Sequence, residues 1–115
     1  MKNYKIAILD GDGIGPEIMI EAIKVLKVIE QRNDIKFELQ HASFGGCAYF
    51  ESGHPFPEET KKVCDEADAI LKGPIGLNHE ESEKIPVDLR PERGALLPLR
   101  KRLNTYANFR PVSLP

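Results

Sequence analysis

The chain has no tryptophan, two cysteines and two methionines among 115 residues, and no apolar run near the ~20 residues that a membrane-spanning helix needs. Cys47 and Cys64 form no CxxC pair and no zinc spacing, so neither a disulfide framework nor a structural metal is indicated; reduced thiols are expected. Neither sign of charge is in surplus: 16 Lys and Arg stand against 18 Asp and Glu, for a net −2. That balance argues against a general nucleic-acid or membrane-surface binder, which would show a basic stripe. His41, His54 and His79 share no helix face or metal spacing and read as surface or structural residues. The opening MKNYKIAILDGDG lacks the long apolar core and small-residue cleavage site of a secretory leader, so a cytoplasmic protein is expected. There is no internal repeat, low-complexity tract or linker. What remains, 41% hydrophobic and 30% charged residues, is ordinary for one modest globular domain with a core.

The pattern of that composition is more informative. Tyr4–Leu9 is a short apolar, β-branched run that reads as a buried strand. Pro16 and Glu17 open a helix, since proline suits the first turn and an acid suits the positive end of the dipole. Ile18, Ala22, Val25, Leu26 and Ile29 recur at helical steps and are expected to face the core. Ile35–Leu39 alternates as a second strand, and Gly45 to Pro57 is rich in loop punctuation. A second helix opens at Pro57-Glu58-Glu59 and runs to about Asp65; Ala69–Leu71 is a third strand. Gly76–Asp88, with Glu80, Glu81 and Glu83, reads as a solvated loop, and Tyr49–Phe50 as a packing pair. A helix over Gly94–Leu103 turns Leu96, Leu99 and Leu103 inward, and Thr105–Val112 is expected to be a strand cut short by the chain's end. Strands alternating with helices imply an α/β fold with a mostly parallel sheet flanked by helices. Its loops at the strands' carboxyl ends are the natural ligand edge. A last strand stopping mid-sheet suggests the N-terminal part of a longer fold.

The segment Asp10-Gly11-Asp12-Gly13-Ile14-Gly15-Pro16-Glu17 lies between strand and helix, as a dinucleotide-binding turn does, but the match fails. Pro16 stands where the third glycine belongs, and Gln40-His41 stands where the second strand should end in an acid. No Gly-Lys-Ser/Thr follows, so it is not a P-loop. Two readings stay open: a loop that admits a polar or anionic group close to the backbone, or a tight turn needing positive φ. Asp10 and Asp12 flank it but make a weak cation site by themselves.

Arg90-Pro91-Glu92-Arg93-Gly94-Ala95-Leu96-Leu97-Pro98-Leu99-Arg100-Lys101 is followed by Ala107-Asn108-Phe109-Arg110-Pro111. Arg100 on a helix and Arg110 on the following strand can converge, and paired guanidinium forks suit a small di-acid. With Lys101 and Arg102 beside them, a solvated basic face fits the spacing equally well.

Taken together, GDGIGPE, the strand end ILKGPIG, RPERGALLPLRK and ANFRP resemble the isopropylmalate/isocitrate dehydrogenase family over about Lys5 to Pro111, with RGALLPLRK pointing to the isopropylmalate branch. The resemblance implies a fold that is not a Rossmann nucleotide fold. It also implies hydride transfer from a substrate hydroxyl to NAD followed by decarboxylation, with Mg2+ or Mn2+ as Lewis acid. The substrate implied is 3-isopropylmalate, in leucine biosynthesis. Isocitrate, homoisocitrate, tartrate or malate, or a non-catalytic dicarboxylate-binding fragment, are the alternatives. By position, Arg100 and Arg110 match the arginines that hold the malate carboxylates, and Leu96 and Leu97 the apolar lining for the isopropyl group. Glu92 matches the acid near the nicotinamide, and Ile14 sits in the glycine loop that touches the cofactor. The acid/base and metal-binding residues would lie beyond Pro115, so the 115 residues are expected to be inactive alone. At full length the resemblance implies a homodimer. Lys72-Gly73-Pro74-Ile75-Gly76 departs from the FGSVGGP-like stretch of many bacterial isopropylmalate enzymes, and Asn78–Lys84 is also unfamiliar.

Overall fold

The central strand dictates the architecture. In the computed structural model, which describes all residues from Met1 to Pro115, β1 (Lys2–Leu9) lies between β2 (Ile35–His41) and β3 (Ala69–Lys72), and both pairings are parallel. The register sets Ile6 opposite Leu39 and Ala69, and Ile8 opposite His41 and Leu71. Ile6, Ala7, Ile8 and Leu9 are all buried, which is why this strand is continuously apolar: both faces of a parallel sheet are covered. Successive side chains feed opposite cores. Ala7 and Leu9 join Phe44, Phe56, Cys64, Ala95 and Leu99, whereas Ile6 and Ile8 join Met19 with Ile23 and Phe37 beside them.

Helix α1 (Gly15–Arg32) covers the second face. Its core stripe is Met19 and Ile23, not the expected Ile18, Val25 and Ile29, which are exposed. The helix carries two adjacent apolar stripes of similar spacing, and periodicity cannot choose between them; docking on Ile6 and Ile8 selects the one headed by Met19. On the first face lie α3 (Glu58–Glu66) and the segment after residue 90.

Several expectations change. The Gly45–Pro57 stretch contains a helix, α2 (Gly46–Ser52), closed by Gly53 in the left-handed conformation. The Gly76–Asp88 loop contains the short α4 (His79–Glu83), capped by the Asn78 side chain accepting from the Glu81 amide, and it buries Ile85. The last helix begins earlier than Gly94, as a wide π turn over Pro91–Leu96 that continues into α5 (Leu97–Arg102). Leu99 is buried there, but Leu103 is exposed. Thr105–Val112 forms no strand: the sheet has three strands, and these residues extend fully into solvent with no neighbour to pair with.

The two stripes of α1 give a direct test. Met19→Ala removes a side chain that is 2% exposed and should cost about 2–4 kcal/mol of unfolding free energy. Val25→Ala, on the other stripe at 59% exposure, should stay within about 0.5 kcal/mol. Urea denaturation of the two variants measures the difference, and equal losses would contradict this docking of α1.

Candidate functional site

All three strands end at one edge, and a single buried carboxylate organises it. Asp12, 4% exposed, receives three backbone N–H groups: Gly46 at 2.9 Å, Cys47 at 2.7 Å and Gly76 at 3.0 Å. Gly46 and Cys47 supply the first amides of α2, so a residue distant in sequence does the work of an N-cap. The Asp12 amide in turn donates to the Pro74 carbonyl at 2.8 Å. The carboxylate therefore ties together the glycine loop, α2 and the loop after β3. It is not half of a cation site with Asp10, because its oxygens are occupied by backbone donors; Asp10 instead meets His41 Nδ1 at 3.0 Å, linking the ends of β1 and β2.

Of the two readings of the glycine loop, the structure favours the turn for its first half. Gly11 has φ +84° and lies so close to the Pro74 carbonyl that a Cβ would collide with it. Past that contact the loop faces solvent, and Ile14, at the N-terminus of α1, is 62% exposed. Glu92 is also exposed, and its Oε1 lies 3.6 Å from where a Cβ on Gly76 would sit.

The cations sort themselves by partner. Arg102 makes a bidentate pair with Asp65, at 2.7 and 2.6 Å, and is structural. Arg100 and Arg110 have no carboxylate within salt-bridge reach. Lys72, at the end of β3, has none either and donates to the Gly73 carbonyl at 2.9 Å. Burial first, and then the Arg100 guanidinium, push the Lys72 ammonium below its usual lysine range. Neither Lys72 nor Arg100 has a carboxylate partner. Sequence reasoning missed Lys72; its signal was a lysine at the carboxyl end of an otherwise apolar strand.

Arg100 borders an open concavity of about 570 Å³ with Thr105, Tyr106, Asn108 and Phe109. Arg110 lies further along the exposed terminal segment and does not line it. Leu96 is half-buried and Leu97 is 55% exposed, so both reach the surface on the same helical segment as Glu92 and Arg100. A larger concavity of about 800 Å³ lies beside α2 and α3, lined by Glu51, Glu58, Glu59 and Lys62 among others. None of the expected site residues borders it, and its size does not outweigh its solvated walls.

The isocitrate/isopropylmalate dehydrogenase family model matches residues 5–115. The chain belongs to this family. The 3-isopropylmalate dehydrogenase of Geobacter sulfurreducens is 51% identical over 109 residues, covering 95% of this chain and 30% of that enzyme. The enzyme of the same name from Salmonella typhimurium is 47% identical over 113 residues, covering 98% and 31%. The apo crystal structure of a β-decarboxylating dehydrogenase from Thermococcus kodakarensis matches with a TM-score of 0.63 and 32% identity, over 88% of this chain and 27% of that one. The chain thus spans about 30% of the length of these relatives. No helix is long and apolar enough to cross a membrane.

Asp12 is testable in this family member through a neighbour. Burial and, second, the Asp12 carboxylate raise the pKa of the Cys47 thiol. A raised thiol keeps its proton to higher pH in the folded chain, so its contribution to stability declines as pH climbs above the ordinary thiol range. Asp12→Asn replaces one acceptor oxygen with an amide and should cost about 1–3 kcal/mol. It should also move the Cys47 alkylation profile to lower pH, read by mass spectrometry at that residue. An unshifted profile would show that the carboxylate does not govern the thiol.

Proposed function

We propose that these residues form part of the substrate clamp of an NAD-dependent enzyme that oxidatively decarboxylates 3-isopropylmalate. The observation that carries this reading is the half-buried Lys72 at the carboxyl end of β3, which has no carboxylate partner and whose pKa is lowered by burial and then by the Arg100 guanidinium. Leu96 and Leu97 stand within a turn of Arg100. In this reading the Arg100 fork and the Lys72 ammonium hold a malate carboxylate, and Arg110 joins them when the terminal segment is packed against further chain. Leu96 and Leu97 exclude water and receive the isopropyl group. Ile14 and Glu92 border the cofactor. The names of the relatives supply the choice of acid, as does the absence of a polar partner at Leu96-Leu97 for a third carboxylate.

NAD would supply the hydride acceptor. For the cation, residues 1–115 gather no group of three or more His, Cys, Asp or Glu side chains able to hold a metal ion. A divalent ion therefore finds no complete donor set within these residues. Their role is to bind and orient an acid, and we expect no measurable NADH production from 3-isopropylmalate by the 115-residue chain alone. Clear turnover would overturn that division of labour.

Specificity offers the sharper test. Burying a branched alkyl group gains a few kcal/mol, whereas burying isocitrate's additional carboxylate against two leucines costs a comparable amount or more. The two terms act in the same direction. A chimera carrying residues 1–115 in place of the matching segment of the Geobacter sulfurreducens enzyme should therefore prefer 3-isopropylmalate over isocitrate by about 100-fold or more in kcat/KM. Isocitrate turnover within tenfold would reject the isopropylmalate assignment and leave the family intact. A malate- or tartrate-type site would show no gain from the isopropyl group.

A further inference from the structure

The segment that carries Glu92, Leu96, Leu97 and Arg100 is not a uniform helix. The Gly94 N–H donates to the Arg90 carbonyl at 2.7 Å, four residues back, but the Leu97 N–H donates to the Glu92 carbonyl, five residues back, so the register widens to π within Pro91–Leu96. The regular register resumes in Leu97–Arg102, and the Leu103 N–H donates to Leu99. Single π turns inside helices are rare and have local causes. Pro98 offers such a cause. In an α-helix its ring would press on the Gly94 carbonyl, and it has no N–H to give that carbonyl. Widening the preceding turn moves the carbonyl aside. Leu96 and Leu97 keep ordinary helical dihedrals, at φ −62° and −64°, so the chain absorbs the change in register and not in direction.

The wide turn rotates one half of the segment against the other. Eight residues separate Glu92 from Arg100. At about 3.6 residues per turn they would stand about 80° apart around the axis. One π turn of about 4.4 residues followed by one α turn accounts for about eight residues in two turns, which brings the two side chains back onto one line. We propose that Pro98 is a positioning residue: it holds residues 91–96 in the wide register, and that register sets the Glu92 carboxylate and the Arg100 guanidinium on a common face. The two groups then point to one ligand, the acid at Arg100 and the reacting end at Glu92. This rests on the clamp reading of Arg100 given above.

The test uses Pro98→Ala in the 115-residue chain, with nuclear magnetic resonance on both proteins. In the wild type, couplings across hydrogen bonds pair the Leu97 N–H with the Glu92 carbonyl. In the variant Leu97 should pair with Arg93, and the new N–H at position 98 with Gly94. Because the helix gains a hydrogen bond, the urea midpoint should stay or rise. On titration with 3-isopropylmalate, the wild type should show Glu92 and Arg100 responding together. The variant should lose the Glu92 response and bind at least fivefold more weakly. Improved or equal stability with weaker binding is a combination that a purely structural proline would not give. A Leu97–Glu92 pair retained in the variant, unchanged binding, or a variant that fails to fold would each overturn the proposal. A wild type that shows no response to 3-isopropylmalate removes the clamp reading instead, while the hydrogen-bond couplings still decide what Pro98 does to the register.

Discussion

One buried carboxylate is the constraint on which the functional edge depends. Asp12 lies in a nearly dry position, where an ion is costly unless it is fully hydrogen-bonded. Three backbone donors from two other segments meet that need. The requirement runs both ways: the charge needs the amides, and the amides at the start of α2 and at Gly76 need an acceptor. Charge-assisted bonds of this kind are short and about twice as strong as neutral ones. Position and hydrogen bonding are inseparable here, so the loop after β1 cannot move without the loop after β3.

The sheet and its order of elements were legible because they follow from patterns spanning many residues. The apolar run of β1, the proline-acid openings of α1 and α3, and the strand before Lys72 all appear where periodicity placed them, to within a few residues. What failed depended on choices that periodicity leaves degenerate. Two equivalent stripes on α1 could not be ranked without knowing that Ile6 and Ile8 would receive Met19. The helix α2 was hidden because its cap comes from Asp12, remote in sequence. The short α4 and the burial of Ile85 were masked by a run of carboxylates. A strand at Thr105–Val112 was a fair reading of the residues, but a strand exists only beside a partner, and this sheet ends at β3.

The candidate site was partly legible for the same reason. Arg100, Leu96, Leu97 and Glu92 sit on one helical segment, so sequence spacing alone gathers them. Their orientation is another matter, because the wide turn before Pro98 changes the phase of the helix midway. A helical wheel drawn at a single period misplaces Glu92 against Arg100. Lys72 was overlooked because its significance comes from a neighbour, the guanidinium of Arg100, that only the fold supplies.

The contrast among the arginines bears most directly on function. Arg102 shows what this chain does with a cation whose task is structural: it is matched to Asp65 through both nitrogens. Eighteen acidic residues are available, several within the exposed loops, yet none is placed beside Lys72 or Arg100. Surface ion pairs form readily but contribute little, so their absence at an exposed site would mean nothing. Lys72 is different, because it is partly withdrawn from water and lies near a like charge, an arrangement that lowers stability. Natural sequences tolerate such local costs chiefly where activity needs them. An anionic ligand relieves both the desolvation and the repulsion at once. In the proposed clamp, the same arrangement that is costly to the isolated chain would favour an acid.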